Sequence, residues 1–276
     1  MLRYRGFRLT AGPPCGHLEP PVGAVSLVLL LEGKLLLGSA PGGPLPTAAY
    51  TSPVCGLHTT AMVSEHESPL TGIEIALAPW AAYRMFGIPM DQLTDNVMEA
   101  SELLGHDLAP LTDALAAAPD WPARFALLDA ELTGLLAGVP PHAPPVAAAW
   151  TLLARHCGAV PISQLARHVG WSQSQLERRF QEQIGVTPKA AARVLRLRRS
   201  LRLLSEGRPA AQVAELAGYY DQAHFSREFK AMTGCPARLL AKCRDCSEFL
   251  QDRGSPRPAQ YFSPEHIRET TDNRKW

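Results

Sequence analysis

Two copies of one pattern occupy the last third of the chain: Ala166-x-x-x-Gly170-Trp171-Ser172…Phe180-x-x-x-x-Gly185 and Ala214-x-x-x-Gly218-Tyr219-Tyr220…Phe229-x-x-x-x-Gly234. Each copy has a small residue where two helices would touch, a glycine for a tight turn, and then an amphipathic segment. This layout is typical of a helix-turn-helix unit, whose second helix enters the major groove of DNA. Two copies predict a chain that binds two adjacent segments of duplex DNA, which is a binding function and not a catalytic one.

The first predicted recognition helix runs from Ser172 to Ile184. Leu176, Phe180 and Ile184 recur every four residues and predict its buried face. The N-terminal end of a recognition helix enters the groove, so its polar residues are the candidates for base contact. Arginine pairs with guanine and glutamine with adenine, and each good pair gives about 1–3 kcal/mol of discrimination. The predicted DNA contacts of this helix are Gln173, Ser174, Gln175, Arg178 and Arg179.

The second predicted recognition helix runs from Asp221 to Thr233 and repeats this arrangement. Phe225, Phe229 and Met232 predict its buried face. The turn glycines of the two copies are 48 positions apart, whereas the equivalent arginines are 49 apart, so one residue is inserted in the second turn, at Tyr220-Asp221. The predicted DNA contacts of this helix are Gln222, Ala223, Ser226, Arg227 and Lys230.

A long helix is predicted between the two copies. Thr187 suits its N-cap, Pro188 its first position, and Gly207 its end. The segment from Pro188 to Glu206 would be about 28 Å long at 1.5 Å per residue, and one DNA turn is about 34 Å. Such a helix could hold two recognition helices over successive grooves without dimerisation. Two arginines on this helix are further predicted contacts, to phosphate more than to bases: Arg193 and Arg196.

The near-neutral net charge of +1 hides two oppositely charged regions. Residues 1–146 carry 6 basic and 14 acidic side chains, a net charge of −8. Residues 147–246 carry 16 basic and 7 acidic side chains, a net charge of +9, and residues 247–276 carry 5 of each. A basic module joined to an acidic domain is the charge distribution of a nucleic-acid-binding protein with a separate partner domain.

The basic segment resembles the DNA-binding domain of the AraC/XylS family of transcription regulators. The likeness covers about residues 147–242, and its most specific part is Gly218-Tyr219-Tyr220-Asp221-Gln222-Ala223-His224-Phe225-Ser226-Arg227-Glu228-Phe229-Lys230. The resemblance implies seven helices, two helix-turn-helix units joined by a long helix, and base contacts from the outward residues named above. Residues 72–75 and 79–89 resemble the cupin-like sensory region of some members, which implies effector sensing, self-association or both.

The N-terminal half is predicted to be a small β-rich domain followed by helices, which gives an α+β chain. Short apolar runs predict strands, and the run from Val22 to Leu31 is interpreted as one strand of a hairpin that turns near Gly33. The runs that predict strands are 24–31, 34–37, 61–63 and 73–77. Apolar spacing of three and four residues predicts helices over 93–104, 108–117 and 122–136, with Asp91 and Asp120 as N-caps and Gly105 and Gly138 as ends.

These patterns divide the chain into four parts. A sensory or dimerisation domain is expected over residues 1–138, a Pro-rich linker over 139–146, the double helix-turn-helix domain over 147–246, and a disordered tail over 247–276. The first residues lack the apolar core typical of a signal peptide, and the longest apolar run is too short to span a bilayer. We therefore expect an intracellular, cytoplasmic protein at the nucleoid, with DNA and the transcription machinery as partners and no membrane.

Two constellations leave a metal-dependent alternative open. Cys15, His17, Cys55, His58 and His66 could converge on a metal in a cupin-like enzyme or sensor, although surface loop positions are the simpler interpretation. The spacing of Cys243-x-x-Cys246 suits zinc, but no second pair lies at a usual distance. No phosphate loop, nucleophile elbow or metalloprotease motif occurs. We expect no metal, no cofactor and no enzymatic activity.

Overall fold

The computed structural model describes residues 2–9, 15–39, 45–66, 69–137, 144–240 and 260–262. Ten strands form two sheets, and their bounds are β1 Leu2–Leu9, β2 Cys15–Glu19, β3 Val25–Glu32, β4 Leu35–Ser39, β5 Ala48–Tyr50, β6 Pro53–Cys55, β7 Met62–His66, β8 Leu70–Leu77, β9 Val97–Glu99 and β10 Gln260–Phe262. The larger sheet has the order β10-β1-β8-β3-β6-β9, and the smaller has the order β2-β7-β4-β5.

One face of the larger sheet carries the core of the N-terminal domain. Leu27, Ile73 and Ile75 of this face are almost fully buried, in the same cluster as Phe125 and Leu128. Phe125 and Leu128 both belong to the helix Trp121–Ala137, which follows the strands of this domain in the sequence. Alternation along a strand sends the neighbouring side chains to the opposite face. The helices of this domain are α1 Pro79–Phe86, a 3-10 helix Met90–Leu93, α2 Ala100–Leu104, α3 Ala109–Ala117 and α4 Trp121–Ala137.

The predicted strands are confirmed, but the predicted hairpin at Gly33 is wrong. The chain does turn there, with a positive φ of 88° at Gly33. However, β3 pairs with β6 and β8, whereas β4 pairs with β5 and β7 in the other sheet. A strand with neighbours on both edges cannot also pair with the strand that follows it. The turn therefore carries the chain from one sheet to the other.

The predicted helix over residues 93–104 is also wrong in its first half. This segment contains the end of the 3-10 helix and then β9, and helix appears only in α2. Val97 pairs with Cys55 at the edge of the larger sheet, so strand pairing outweighs the helical spacing of the apolar residues. Asp91 lies inside the 3-10 helix, whose N-cap is Pro89, and is not a cap.

Other predictions in this region are confirmed. Helix α3 occupies nearly the predicted range, and Gly105 ends α2 with a positive φ of 70°. Asp120 caps α4, because its Oδ1 accepts a hydrogen bond of 2.9 Å from the backbone N–H of Ala123. Gly138 and Cys243-x-x-Cys246 lie outside the described residues.

Two elements of the structure lie within segments that were expected to be irregular. The first helix of the C-terminal domain begins at Pro144, inside the predicted linker, because proline is well tolerated in the first turn of a helix. Residues Gln260–Phe262, within the expected tail, pair with β1 as a strand. The rest of the predicted tail lies outside the described residues.

The described residues from 144 to 240 contain seven helices, as the family resemblance implies. Their bounds are α5 Pro144–Arg155, α6 Ile162–His168, α7 Gln173–Ile184, α8 Pro188–Ser205, α9 Ala210–Leu216, α10 Gln222–Thr233 and α11 Ala237–Leu240. Separate buried clusters form the cores of the two repeated units, one around Phe180 and the other around Phe225 and Phe229. Within the described parts of the chain, no helix is both long and apolar enough to cross a membrane.

Candidate nucleic-acid interface

Helix α7 has the structure predicted for the first recognition helix. Ser172 caps it, with its Oγ accepting a hydrogen bond of 3.2 Å from the backbone N–H of Gln175. Leu176, Phe180 and Ile184 are fully buried, as their spacing predicts. The predicted contacts around its N-terminal half all remain exposed: Gln173, Ser174, Gln175, Arg178 and Arg179. Arg179 pairs with Glu182 at 2.9 Å on the surface, and such exposed pairs are weak enough to exchange for a phosphate.

Helix α10 repeats this arrangement in the second unit. Asp221 caps it, with its Oδ1 accepting a hydrogen bond of 2.6 Å from the backbone N–H of His224. Phe225, Phe229 and Met232 are buried. The five residues predicted to contact DNA are exposed: Gln222, Ala223, Ser226, Arg227 and Lys230. Both recognition helices therefore present a polar N-terminal half that nothing in the described part of the chain covers.

Glu228 is a site residue that the sequence did not single out. It faces the long helix α8, where its carboxylate oxygens lie 3.2 Å from Nε of Arg193 and 3.4 Å from Nη2 of Arg196. Nε2 of His224 lies 3.7 Å from the same carboxylate. The Glu228 side chain is only 10% exposed, whereas Arg193 is 41% and Arg196 20% exposed. This cluster fixes α10 against α8.

Helix α8 joins the two units as predicted. Thr187 caps it, Pro188 occupies its first turn, and Gly207 follows its end with a positive φ of 79°. Its 18 residues make it about 27 Å long at 1.5 Å per residue. Buried side chains along α8 belong to the cores of both units, with Leu195 in the first and Leu197 in the second. One continuous helix thus links both cores.

Tyr220 is the residue inserted in the second turn, and it is the most exposed large apolar side chain in the described structure, at 93%. Gly170 is two residues before the cap Ser172, whereas Gly218 is three residues before the cap Asp221. Tyr219 keeps the buried place after the glycine, so the extra residue projects into solvent. In the sequence, the turn glycines of the two copies are 48 positions apart and the equivalent arginines 49, and this difference locates the inserted residue.

Comparison with known proteins agrees with this geometry. Residues 165–242 match the protein-family model described as "Helix-turn-helix domain". The arabinose operon regulatory protein of Escherichia coli (strain K12) is 36% identical over 86 residues, which is 30% of this chain and 30% of that protein. Residues 165–242 form an AraC-type helix-turn-helix domain. The AraC-type domain contains both recognition helices and the helix between them.

Further similarities are to a second curated protein and to solved structures. The arabinose operon regulatory protein of Salmonella typhimurium is 37% identical over 84 residues, again 30% of each chain, so this chain spans under a third of the length of the curated relatives it matches. The structure of fatty-acid-bound ToxT from Vibrio cholerae aligns over 87% of this chain and 94% of its own, with a TM-score of 0.49 and 10% identity.

The N-terminal domain has polar side chains on strands of both of its sheets. Glu74 accepts hydrogen bonds from Nε of Arg5 at 2.7 Å and from Oγ of Ser26 at 3.3 Å. Across from them, Oγ of Ser64 donates to Oε1 of Glu19 at 2.7 Å. These side chains come from strands of both sheets, and the carboxyl group of Glu19 is close enough to Glu74 and Arg5 for their charges to affect its pKa.

The residues of the metal-dependent alternative do not all converge, although Cys15 on β2 is the strand partner of His66 on β7. The rings of His17 and His66 stack with their centroids 5.8 Å apart. His58 instead faces Asp95, with 3.8 Å between Nδ1 and Oδ1, and burial lowers its pKa to about 4. In the described ranges, no group of three or more His, Cys, Asp and Glu side chains is placed to hold a metal ion.

Replacing Glu19 with glutamine should stabilise the protein at neutral and alkaline pH. Burial raises the pKa of Glu19 from its ordinary value near 4.5 to about 7, with the nearby Glu74 adding to the shift and the Ser64 hydroxyl opposing it. The folded state therefore binds a proton more tightly than the unfolded state, and wild-type stability falls as pH rises from 4.5 to 7. Because Glu19 is only half-buried by surface area, we expect a gain of about 2 kcal/mol in the variant.

Urea unfolding at several pH values checks this prediction. The Glu19→Gln variant and the wild type should differ above pH 7 and converge near pH 4. Glu65→Gln on the exposed face of β7 is the matched control and should leave the pH profile unchanged. A constant difference at every pH would show that the effect comes from packing and not from ionisation.

Proposed function

We propose that this protein is a sequence-specific DNA-binding regulator of transcription that contacts two successive major-groove segments of a promoter. The observation that carries the proposal is the pair of capped recognition helices, α7 and α10, each with a buried apolar face and an exposed polar N-terminal half. The net charge of +9 over residues 147–246 favours binding to phosphate. The similarity of the AraC-type domain to two arabinose operon regulatory proteins also supports it.

The proposed roles differ between the predicted contact residues. Arg178 and Arg227 contact bases, helped by the exposed glutamines and serines at the N-terminal ends of α7 and α10. Arg179 and Lys230 contact phosphates. On α8, Arg193 is exposed enough to reach a phosphate, whereas Arg196 acts mainly by holding α10 in place through Glu228.

Selection of bound sequences from random duplex DNA with the full chain tests the proposal. We expect an enriched motif with two short blocks about one helical turn, roughly 10 base pairs, apart. Affinity for the selected duplex should fall steeply with salt, since each neutralised phosphate releases a counterion. If the full chain enriches no motif at low ionic strength, the proposal is wrong.

Tyr220 is a further DNA contact in this proposal. It flanks the exposed N-terminal end of α10, and aromatic rings pack on sugars and thymine methyl groups while a phenol hydroxyl can donate to phosphate. We expect Tyr220→Ala to weaken binding to the selected duplex by about tenfold, or about 1.4 kcal/mol, without lowering the unfolding temperature. The Tyr220→Phe variant keeps the aromatic ring and removes the hydroxyl, so it shows which of the two groups contributes to binding. Unchanged affinity in Tyr220→Ala would remove this residue from the interface.

The N-terminal domain supplies regulation in the same proposal. The polar side chains on its two sheets offer hydrogen-bond acceptors and one guanidinium to a small-molecule effector. Self-association through this domain and contact with the transcription machinery complete the proposed partners, and binding to chromosomal DNA places the protein at the nucleoid in the cytoplasm. Calorimetric titration of candidate effectors against wild type and Glu74→Gln tests this effector site, because loss of this carboxylate should abolish binding.

Catalysis forms no part of the proposed function. The similar curated proteins are named as regulatory proteins. Of the histidines in the metal-dependent alternative, His17 and His66 stack on each other, whereas His58 faces Asp95. We therefore assign the N-terminal domain a binding and regulatory role.

A further inference from the structure

The loop between β6 and β7, residues 56–61, contacts both helix-turn-helix units. Leu57 is 1% exposed and lies in the same buried cluster as Phe180 and Ile184 of the first unit. Four residues later, the backbone N–H of Ala61 donates a hydrogen bond of 2.7 Å to the carbonyl of Met232, in the last turn of α10. A single short loop of the N-terminal domain thus reaches the C-terminal part of both recognition helices.

A second segment, residues 93–96, holds the C-terminal end of α7. Oγ1 of Thr94 donates a hydrogen bond of 2.7 Å to the carbonyl of Gly185, which ends that helix. A Cβ at Gly185 would lie 2.6 Å from this Oγ1 and 2.7 Å from the carbonyl oxygen of Met90, so the two backbones are in direct contact. The hydroxyl of Tyr83 adds a hydrogen bond of 3.1 Å to Glu182.

The two segments form one rigid unit, which we call the interdomain clamp. Both carboxylate oxygens of Asp95 accept hydrogen bonds of 2.7 Å from Thr59, one from its backbone N–H and one from its hydroxyl. The backbone N–H of Asp95 donates to the carbonyl of Leu57 at 3.1 Å. A Cβ at Gly56 would lie 1.8 Å from the carbonyl oxygen of Leu93, so only glycine permits this approach.

Asp95 has a backbone conformation that is unusual outside glycine. Its φ is +51°, in the left-handed region that carries a steric cost for residues with a side chain. Such a conformation persists where the surrounding contacts determine it. Here the bonds to Thr59 and Leu57 are those contacts, so the shape of the clamp depends on Asp95.

The clamp adjoins the polar side chains of the N-terminal domain. Its first loop begins one residue after Cys55, whose thiol has a pKa raised to about 12 by burial and by the nearby carboxylates of Glu19 and Glu74. The same loop ends three residues before Ser64, which binds Glu19. Both ends of the loop that reaches α7 and α10 therefore adjoin side chains that surround Glu19.

We infer that the interdomain clamp, through its contacts with the C-terminal ends of α7 and α10, fixes the relative orientation of the two recognition helices. The inference rests on the proposed function and adds to it how the two recognition helices are held. The clamp holds the C-terminal ends of α7 and α10 and leaves their N-terminal halves exposed. The clamp therefore holds the two recognition helices in place for DNA without covering their DNA-facing residues. Such pre-ordering raises affinity only for a duplex that contacts both helices.

The test compares clamp variants on two duplexes, one with both selected blocks and one with a single block. We expect Asp95→Ala and Thr94→Val each to lower affinity for the two-block duplex by about five- to tenfold, and single-block affinity by less than about twofold. Thr112→Val is the matched control and should change neither, because the Thr112 hydroxyl donates to the carbonyls of Leu108 and Ala109 at the start of α3. Equal losses on both duplexes would overturn the inference.

A second readout in the absence of DNA separates this inference from the proposed function. Amide hydrogen exchange in the free full chain should become faster at the last turns of α7 and α10 together in Asp95→Ala, although Asp95 bonds to neither helix. Thr59→Val, which removes one of the two bonds to Asp95, should show a smaller effect of the same kind. Faster exchange confined to residues 56–61 and 93–96 would contradict the inference even if DNA binding is confirmed. If amide exchange becomes faster in both helices but the chain prefers no duplex over random DNA, the inference about the clamp is supported and the proposed function is wrong.

Discussion

Replacing Arg178 or Arg227 with alanine should weaken binding to the selected duplex by about 5- to 150-fold each, which corresponds to about 1–3 kcal/mol. Both arginines are exposed on the N-terminal halves of capped recognition helices, where a guanidinium can pair with the edge of a guanine. The cores of the two units are separate clusters, so the two losses should add approximately in the double variant.

The base position at which each variant loses its preference tests the assignment as directly as the size of the loss in affinity. Arg178→Ala should relax the preference at one base position in the first block, and Arg227→Ala at one position in the second block. Arg155→Ala, an exposed arginine of α5 outside both recognition helices, is the matched control and should leave base preferences intact. Selection of bound sequences with each variant measures the base preference at each position, and competition with random DNA measures the loss of specific affinity. Equal weakening on selected and random duplexes would show that the two arginines contact only phosphates.

Replacing Glu228 with alanine should destabilise the AraC-type domain by about 2–4 kcal/mol. Its carboxylate is the buried partner of Arg193, Arg196 and His224, and its removal leaves Arg196 with an uncompensated charge. The cost is below that of a fully buried pair because the arginines remain partly exposed and can be hydrated. The loss should also loosen α10 on α8 and weaken DNA binding, although Glu228 faces away from the groove-facing surface.

Urea unfolding and a matched surface pair check this prediction. Arg202 and Glu206 lie 4.0 Å apart on the exposed face of α8, with both side chains at least half exposed. Glu206→Ala should therefore cost less than about 1 kcal/mol. If Glu228→Ala and Glu206→Ala cost the same, the Glu228 cluster does not organise the second unit.

The parts of the fold that could be predicted are those with a local cause. Ser172, Asp221 and Thr187 occupy N-caps because their side chains bond a backbone N–H three residues ahead in the sequence. The buried faces of α7 and α10 follow from apolar residues at helical spacing. Both kinds of signal lie within one or two turns of chain, so they can be recognised before any tertiary contact is known.

The errors come from contacts between distant parts of the chain. The turn at Gly33 was recognisable, but the sheet that each flanking strand joins depends on β6, β7 and β8. Nothing in the sequence distinguishes Glu228 from the other polar residues of α10, since its two arginine partners lie on another helix. Leu57 carries no periodic signal, because its burial comes from the core of a different domain.

Inserting base pairs between the two selected blocks tests the central claim most directly. Helix α8 joins the two cores rigidly, so the distance between α7 and α10 is fixed within one chain. We predict that an insertion of about 5 base pairs, half a helical turn, reduces affinity to that of a single block, and that an insertion of about 10 base pairs does not restore it. Affinity that is unaffected by these insertions would contradict the claim that one chain binds two successive grooves with two fixed recognition helices.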